Sequence, residues 1–251
     1  MSGALLPPFF RLLRFERIDS TNDEAKRLAA SGAAEGALVL AREQSAGRGR
    51  RGRAWLSPPG NLYCSVLLRP AATVRDAAQL GFAASLAIAE AASQFLPRRA
   101  DVACKWPNDV LIDGAKVAGI LMESRAGGDG TLDWLVLGIG VNLVSHPEGT
   151  EHQATSLLAS GAGEVTVDAF LPALAERFLA WYEAWRRENG FASLRSAWLE
   201  RAHGLGHAIR VRLQDREIEG SFAGLDTQGR LVLDAPDGRR HISAAEIFPA
   251  A

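Results

Sequence analysis

The segment Gly47–Trp55 reads GRGRRGRAW and lies between two apolar runs, Gly36–Arg42 (GALVLAR) and Asn61–Arg69 (NLYCSVLLR). That placement constrains the fold more than any other feature of the chain. Three glycines and four arginines in a row would otherwise read as a disordered arm that grips RNA backbone. A disordered arm, however, does not normally separate two core strands. In the second run Leu62, Cys64, Val66 and Leu68 alternate onto one face, the pattern of a strand against a core. The arginine segment is therefore expected to be a loop within a folded domain. Glycine allows close backbone approach, and arginine supplies a planar, permanently charged fork for phosphate or carboxylate oxygens. Such a loop is suited to hold an anion, and its like charges predict that it is mobile until one arrives.

The charge balance narrows the anion. With 28 basic and 29 acidic residues in 251, the net charge of −1 gives no general attraction to a polyanion. The positive charge is local, which favours a small anionic ligand over nucleic acid. The length suits one large domain and a small one, expected at 1–204 and 205–251. Cys64 and Cys104 both fall in apolar runs, as reduced core thiols do, and the five histidines show no metal-ligand spacing. Leu5–Phe10 is too short for a membrane span and contains Pro7 and Pro8, so a cytoplasmic enzyme is the expectation. Only three lysines occur, Lys26, Lys105 and Lys116, and the last two flank one short stretch. A compact ammonium and a bulky guanidinium are not interchangeable beside a crowded phosphate.

Local signals order the rest. Ser20-Thr21-Asn22-Asp23-Glu24 opens a helix to about Ser31, with Thr21 and Glu24 at capping-box spacing and Gly32 as the stop. Ala77–Phe95 reads as one buried helix. Strands are expected at Asp101–Trp106 and Val110–Asp113, with Asp113-Gly114 as a hairpin turn into Lys116–Glu123. After a loop at Gly127–Gly130 comes a strand at Leu132–Asn142, then helices around Asp168–Arg187 and Phe191–His203, whose Trp181, Trp185 and Trp198 pack. From about Leu205 four short alternating segments predict a small antiparallel barrel or sandwich.

Four segments carry candidate chemistry. Besides the arginine loop, Lys105-Trp106-Pro107-Asn108-Asp109 offers lysine, amide and carboxylate around a proline turn. Gly114–Leu121 (GAKVAGIL) sets Lys116 just past a hairpin and Gly119 where a side chain would obstruct a ligand. Gly138-Ile139-Gly140-Val141-Asn142 is a strand punctuated by glycine. Individually each has an ordinary structural explanation: a turn, a bulge, a helix cap.

Taken in order after the STN cluster, GRGRxGRxW, KWPND, GKxAGIL and GIGVN resemble the biotin–protein ligase family from Ser20 to Asn142, and the small C-terminal β domain fits it too. The resemblance implies an α+β fold: a mixed sheet with helices, like that of class II aminoacyl-tRNA synthetases, followed by an SH3-like barrel. It implies that biotin and Mg-ATP form biotinyl-5′-AMP and that a lysine of a biotin carboxyl carrier protein then takes the biotinyl group. By the match Lys116 and Arg50 are catalytic. Ser20, Thr21, Asn22, Gln44, Arg48, Gly49, Arg50, Lys116 and Gly119 bind biotin, while Arg50, Trp55, Asn108, Asp109, Lys116 and Asn142 bind ATP or the adenylate. Asn108 and Asp109 fall where the family contacts ATP or Mg2+, and the match leaves open which one meets the metal. Repressor members carry a helix-turn-helix domain, whereas about nineteen residues precede the STN cluster here, so DNA binding is not expected. A homodimer is compatible with the resemblance. A lipoate–protein ligase shares the fold and chemistry, but the arginine loop and KWPND match the biotin branch.

Overall fold

The computed structural model describes residues 5–128, 130–213 and 216–249. A seven-stranded mixed sheet forms its centre. In chain order the strands are β1 (Arg11–Ile18), β2 (Ala37–Gln44), β3 (Leu62–Leu68), β4 (Val102–Lys105), β5 (Asp109–Ile112), β6 (Ala115–Ala126) and β7 (Leu132–Val141). Their spatial order is β1-β2-β3-β7-β6-β5-β4, with β1 parallel to β2 and every other neighbour antiparallel.

Strand periodicity decides what lies on each face. Leu62, Cys64, Val66 and Leu68 of β3 and Leu135, Leu137 and Ile139 of β7 enter the main core. That core is completed by α3 (Leu80–Ser93), α4 (Val167–Trp185) and α5 (Gly190–Glu200). The opposite face is covered by α1 (Thr21–Ala30), whose Ala25 and Ala29 pack on Val39, Leu67, Trp134 and Val136. Both faces of β3 are therefore buried, where the sequence had assigned an interior to one face only. The two cysteines are free and buried, and burial pushes both thiols up to about 12.

Several local expectations need correction. Position Ser20 caps α1, but no side chain caps it. The Thr21 hydroxyl instead donates to Gln44 Oε1, and Glu24 pairs with Arg27, so tertiary partners displace the capping box. The alanine-rich helix is preceded by a separate short turn of helix, α2 (Val74–Ala77), whose N-cap Thr73 accepts from Asp76 N. Strand β1 went unforeseen because its charged, half-exposed sequence, RLLRFERI, is that of a sheet edge. The Asp113-Gly114 turn is as expected, with φ of 49° and 81°. Trp181, Trp185 and Trp198 pack, and each indole donates, to Glu90, Gln79 and Ser85. Asp129 of the Gly127–Gly130 loop lies outside the described residues.

The C-terminal part is a five-stranded antiparallel sheet, one strand more than expected. It comprises β8 (Ala208–Arg212), β9 (Glu217–Leu225), β10 (Leu231–Ala235), β11 (Gly238–Ile242) and β12 (Glu246–Pro249), in the order β11-β10-β9-β8-β12. Strand β12 has only four residues, too few to show alternation. The sheet docks on the larger part through Trp106, whose indole donates to Gly229 O at 3.2 Å, and through a close fit of Gly229 on Phe82 and Phe191. Among the described residues no helix is long and apolar enough to cross a membrane.

That fit generates a stability prediction. Gly229 has φ +79°, and a Cβ there would lie 2.7 Å from Phe82 Cε2 and 3.2 Å from Phe191 Cζ, two rings wedged in the core. Gly229→Ala should cost about 1–3 kcal/mol through overpacking and backbone strain. Thermal or urea unfolding measures it; an unchanged midpoint would show that the docking is looser than these distances.

Candidate active site

The sheet register builds the site floor. Across β3, β7, β6, β5 and β4, on the face shared with α1, one transverse row runs Tyr63, Gly140, Gly119, Asp109, Lys105. Further along β7, on the same face, Trp134 and Val136 lie beneath α1, while Gly138 and Gly140 carry no side chain. Where α1 ends and the glycines begin, the sheet face opens into a cavity of about 430 Å3. Every position assigned from the sequence, from Ser20, Thr21, Asn22 and Gln44 through Arg48, Gly49, Arg50, Trp55, Asn108, Asp109, Lys116 and Gly119 to Asn142, lines that one space.

Its polar end is a buried network. Thr21 N and Oγ1 donate to Gln44 Oε1 at 2.8 and 3.1 Å, and Gln44 Nε2 donates to Ser57 Oγ at 3.0 Å. Ser65, fully buried on β3, donates to Asn22 Oδ1 at 2.6 Å and lies 2.8 Å from Thr21 Oγ1. Asn22 Nδ2 in turn donates to Glu123 Oε2 at 2.8 Å. Gly138 makes this possible, since a Cβ there would fall 2.1 Å from Asn22 Oδ1. Ser65 and Glu123 were missed in the sequence; only strand register brings them to the STN cluster.

The arginine loop is a small hairpin. Arg48 bridges to Ala54, Trp55 N donates to Gly47 O at 2.9 Å, and a short 3-10 turn spans Arg50–Gly52. Arg51 sits in the left-handed region at φ 57°, a conformation that costs a non-glycine residue about 1–2 kcal/mol. Outside contacts hold the loop. Arg48 forks onto Asp23 at 2.6 and 2.5 Å, within a four-charge cluster that includes Lys26 and Glu123. Arg53 reaches Glu246 at 2.8 Å, and Arg51 lies 3.7 Å from the same carboxylate. The hydrogen bonds from Arg48 hold the Asp23 carboxyl well below the usual range. Because that group is depressed, its stabilisation is present above the ordinary carboxylate pKa and is lost only as the pH falls through the depressed value. The loop, expected to be held by an anion alone, thus has protein partners along its length. Arg50 is the exception: it has no carboxylate within ion-pair distance among the described residues and donates only to Asn108 Oδ1 at 3.1 Å. Burial, and then its neighbour Arg51, lower its pKa.

Cations and a carboxylate line the adjoining wall. Lys116 Nζ lies 2.6 Å from Asp109 Oδ1, in contact but off hydrogen-bond angle, so that buried oxygen accepts no hydrogen bond. Lys105, named in the sequence only as part of KWPND, is buried beside it, and burial lowers its pKa. It contacts His152 Nδ1 at 3.3 Å. Asn142 is buried and donates to Thr155 O at 3.0 Å, which fixes its amide at the cavity edge. Trp55 lies flat on the glycine row: a Cβ on Gly140 would come within 2.6 Å of the indole, and one on Gly119 within 3.0 Å. Its Nε1 is buried without a partner, and Lys116 Nζ sits 5.5 Å from the ring centre. No group of three or more metal-ligating side chains occurs among the described residues.

Residues 14–142 match the biotin/lipoate A/B protein ligase family, and residues 204–248 match the biotin protein ligase C-terminal domain. The chain belongs to this family. It is 46% identical over 92% of its length to the biotin–[acetyl-CoA-carboxylase] ligase of Paracoccus denitrificans, covering 98% of that protein. It is 33% identical to the bifunctional ligase/repressor of Bacillus subtilis, over 94% of this chain and 73% of the relative. Among solved structures, biotin protein ligase from Aquifex aeolicus in complex with biotin and ATP superposes with a TM-score of 0.78 at 28% identity, covering 95% of this chain and 97% of that one. The central sheet with its helices and the C-terminal sheet are thus the fold of the family.

The floor yields a direct test. Gly138→Ala should displace Asn22 and break its bonds to Ser65 and Glu123, leaving buried polar groups unpaired at about 1–3 kcal/mol. Ligand affinity measured calorimetrically should fall about five- to 150-fold, by the same arithmetic. Unaltered affinity would mean that Asn22 is not part of the binding wall.

Proposed function

We propose that the chain is a biotin–protein ligase acting on the biotinyl carrier domain of acetyl-CoA carboxylase. The observation that carries this reading is one cavity with a side-chain-free trough, a neutral hydrogen-bonding end and a cationic wall of Arg50, Lys105 and Lys116. The relatives' names and the biotin and ATP bound by the Aquifex protein support it. Ser20, Thr21, Asn22 and Gln44 suit the ureido ring, which is neutral and both donates and accepts. Gly119 lets backbone approach biotin, and Arg48 and Gly49 close the same side. Trp55 and Asn142 suit the adenine. Residues 1–204 form the catalytic unit and 205–251 the accessory one.

The chemistry follows from charge. In the first step a carboxylate oxygen of biotin bonds to the α-phosphorus as the bond to pyrophosphate breaks. Two anions must meet, so the protein's task is to neutralise and align them. Lys116 supplies a compact charge between carboxylate and phosphate, and Arg50 binds the phosphate once it is attached. Asp109, whose buried Oδ1 accepts no hydrogen bond and lies against the Lys116 ammonium, is the carboxylate of this wall that would hold Mg2+, and the ion would offset the nucleotide's charge. In the second step a lysine amine of the carrier forms an amide with the acyl carbon, loses a proton, and AMP leaves with the bonding pair. Carrier domains of other biotin-dependent carboxylases present the same amine. A homodimer and a cytoplasmic setting fit this reading, the second with two reduced thiols.

Pyrophosphate release with ATP plus biotin tests the assignment against ATP plus lipoate; release with lipoate alone would replace it. Lys116→Arg should fold normally yet lose several kcal/mol of transition-state stabilisation, seen as a fall in pyrophosphate release of at least a hundredfold. Wild-type rates in that variant would remove Lys116 from the reaction.

Arg50→Ala should release biotinyl-AMP faster while leaving affinity for free biotin nearly intact, because its phosphate partner appears only after the first step. Adenylate escape measured by gel filtration distinguishes this. Collapse of biotin binding with unchanged escape would place Arg50 in the biotin pocket.

A further inference from the structure

The C-terminal sheet reaches the site through one carboxylate. Glu246, the first residue of β12, meets Arg53 end-on with both oxygens, at 2.8 Å to Nη1 and 3.1 Å to Nη2. Arg51 Nη1 lies 3.7 Å away and Arg212 Nη1 3.9 Å. Glu246 is the least exposed member of this set: its side chain is 15% exposed, against 53% for Arg53. It is therefore a fixed anchor onto which the loop's outer arginines close, not a flexible group that follows them.

We propose that Glu246 is a positioning residue for the ligase reaction, holding the outer half of the arginine loop so that Arg50 stays turned into the cavity. The proposal rests on the ligase reading given above. Three observations converge on it. The loop's nearest carboxylates are Asp23 on α1 for Arg48 and Glu246 on β12 for Arg51 and Arg53, with Glu151 farther off at 3.9 Å from Arg53, and Arg50, which has no carboxylate partner among the described residues, lies between them. Arg51 is held at a positive φ, a conformation that persists where surrounding contacts over-determine it, and Glu246 is its carboxylate contact. Without the carboxylate, Arg50, Arg51 and Arg53 would repel one another across a partly buried space; Glu246 is one of the charges that counter the effect of Arg51 and Arg53 on Arg50. The same strand also touches the cationic wall. Phe248 lies beneath Lys105, 5.6 Å from its Nζ, and stacks on His152 at 4.7 Å. One short strand thus sets the position of both the loop and a lysine of the cavity.

Arg53 is half-exposed, and an ion pair with an exposed partner contributes little to global stability, so a purely structural role and a positioning role separate cleanly. The test compares wild type with Glu246→Gln, Arg53→Gln and the double variant. Asp234→Asn, which removes an exposed pair with Arg239 elsewhere in the same sheet, is the control. Each protein is loaded with biotin and ATP, and escape of the adenylate is timed. Trypsin cleavage after Arg48 and Arg50 is followed separately without ligand. Glu246→Gln and Arg53→Gln should each speed escape and loop cleavage about fivefold, the upper range for such a pair. The double variant should do no more than either alone, and melting temperatures should match the control. Wild-type escape in Glu246→Gln, or effects that multiply in the double variant, would overturn the proposal. If the wild type forms no adenylate, the ligase reading fails instead. Loop cleavage then still decides the anchor, and an unchanged rate in Glu246→Gln rejects it.

Discussion

The register that sets Gly140 opposite Gly119 is the constraint on which the rest of the site depends. A one-residue slip of β7 would turn Leu137, Ile139 and Val141 toward the cavity and the glycines into the core, filling one and hollowing the other. The long pairing of β7 with both β3 and β6 fixes that register, and apolar burial on the opposite face fixes the pairing. Asp109 and Lys105 then extend the same row, so the carboxylate and the buried lysine are placed by strand pairing and not by loop geometry.

Around that rigid floor the walls come from distant parts of the chain. The start of α1 supplies a neutral polar end, the arginine loop a cover, and the facing ends of β4 and β5 a charged wall. Their hydrogen bonds are linked. Gln44 joins Thr21 to Ser57, and Ser57 donates to Trp55 O at 2.9 Å. A shift at the polar end is therefore felt in the ring that covers the trough. Polar chains of this kind constrain geometry because each buried member left unpaired is costly.

The sequence was informative where chemistry is local. The Asp113-Gly114 turn, the alternation of β3 and the glycine-arginine run each announce themselves within a few residues. Relations that exist only once the sheet is assembled were out of reach. Ser65 reads as one polar residue in an apolar strand until β3 is set beside α1. Glu246 follows two alanines near the end of the chain and shows nothing of its arginines, nearly two hundred residues upstream. Thr21 and Glu24 carry a capping-box spacing that is correct as a local preference and is overridden by Gln44 and Arg27. Strand β1 lacked any signal because an edge strand needs charge where a central one needs hydrophobicity.

The floor of the site is made by omission, which inverts the usual meaning of an alanine scan. At Ser65 or Asn22, alanine deletes a group and reports what the group did. At Gly119, Gly138 and Gly140 it adds matter where Trp55 or Asn22 already lies against the backbone: the smallest addition collides at Gly138 and Gly140 and is a tight contact, 3.0 Å from Trp55, at Gly119. Any larger side chain there meets the same obstacle. Differences in ligand preference among chains of this shape must then be written in the polar end and the covering loop, where side chains can be exchanged without touching the floor.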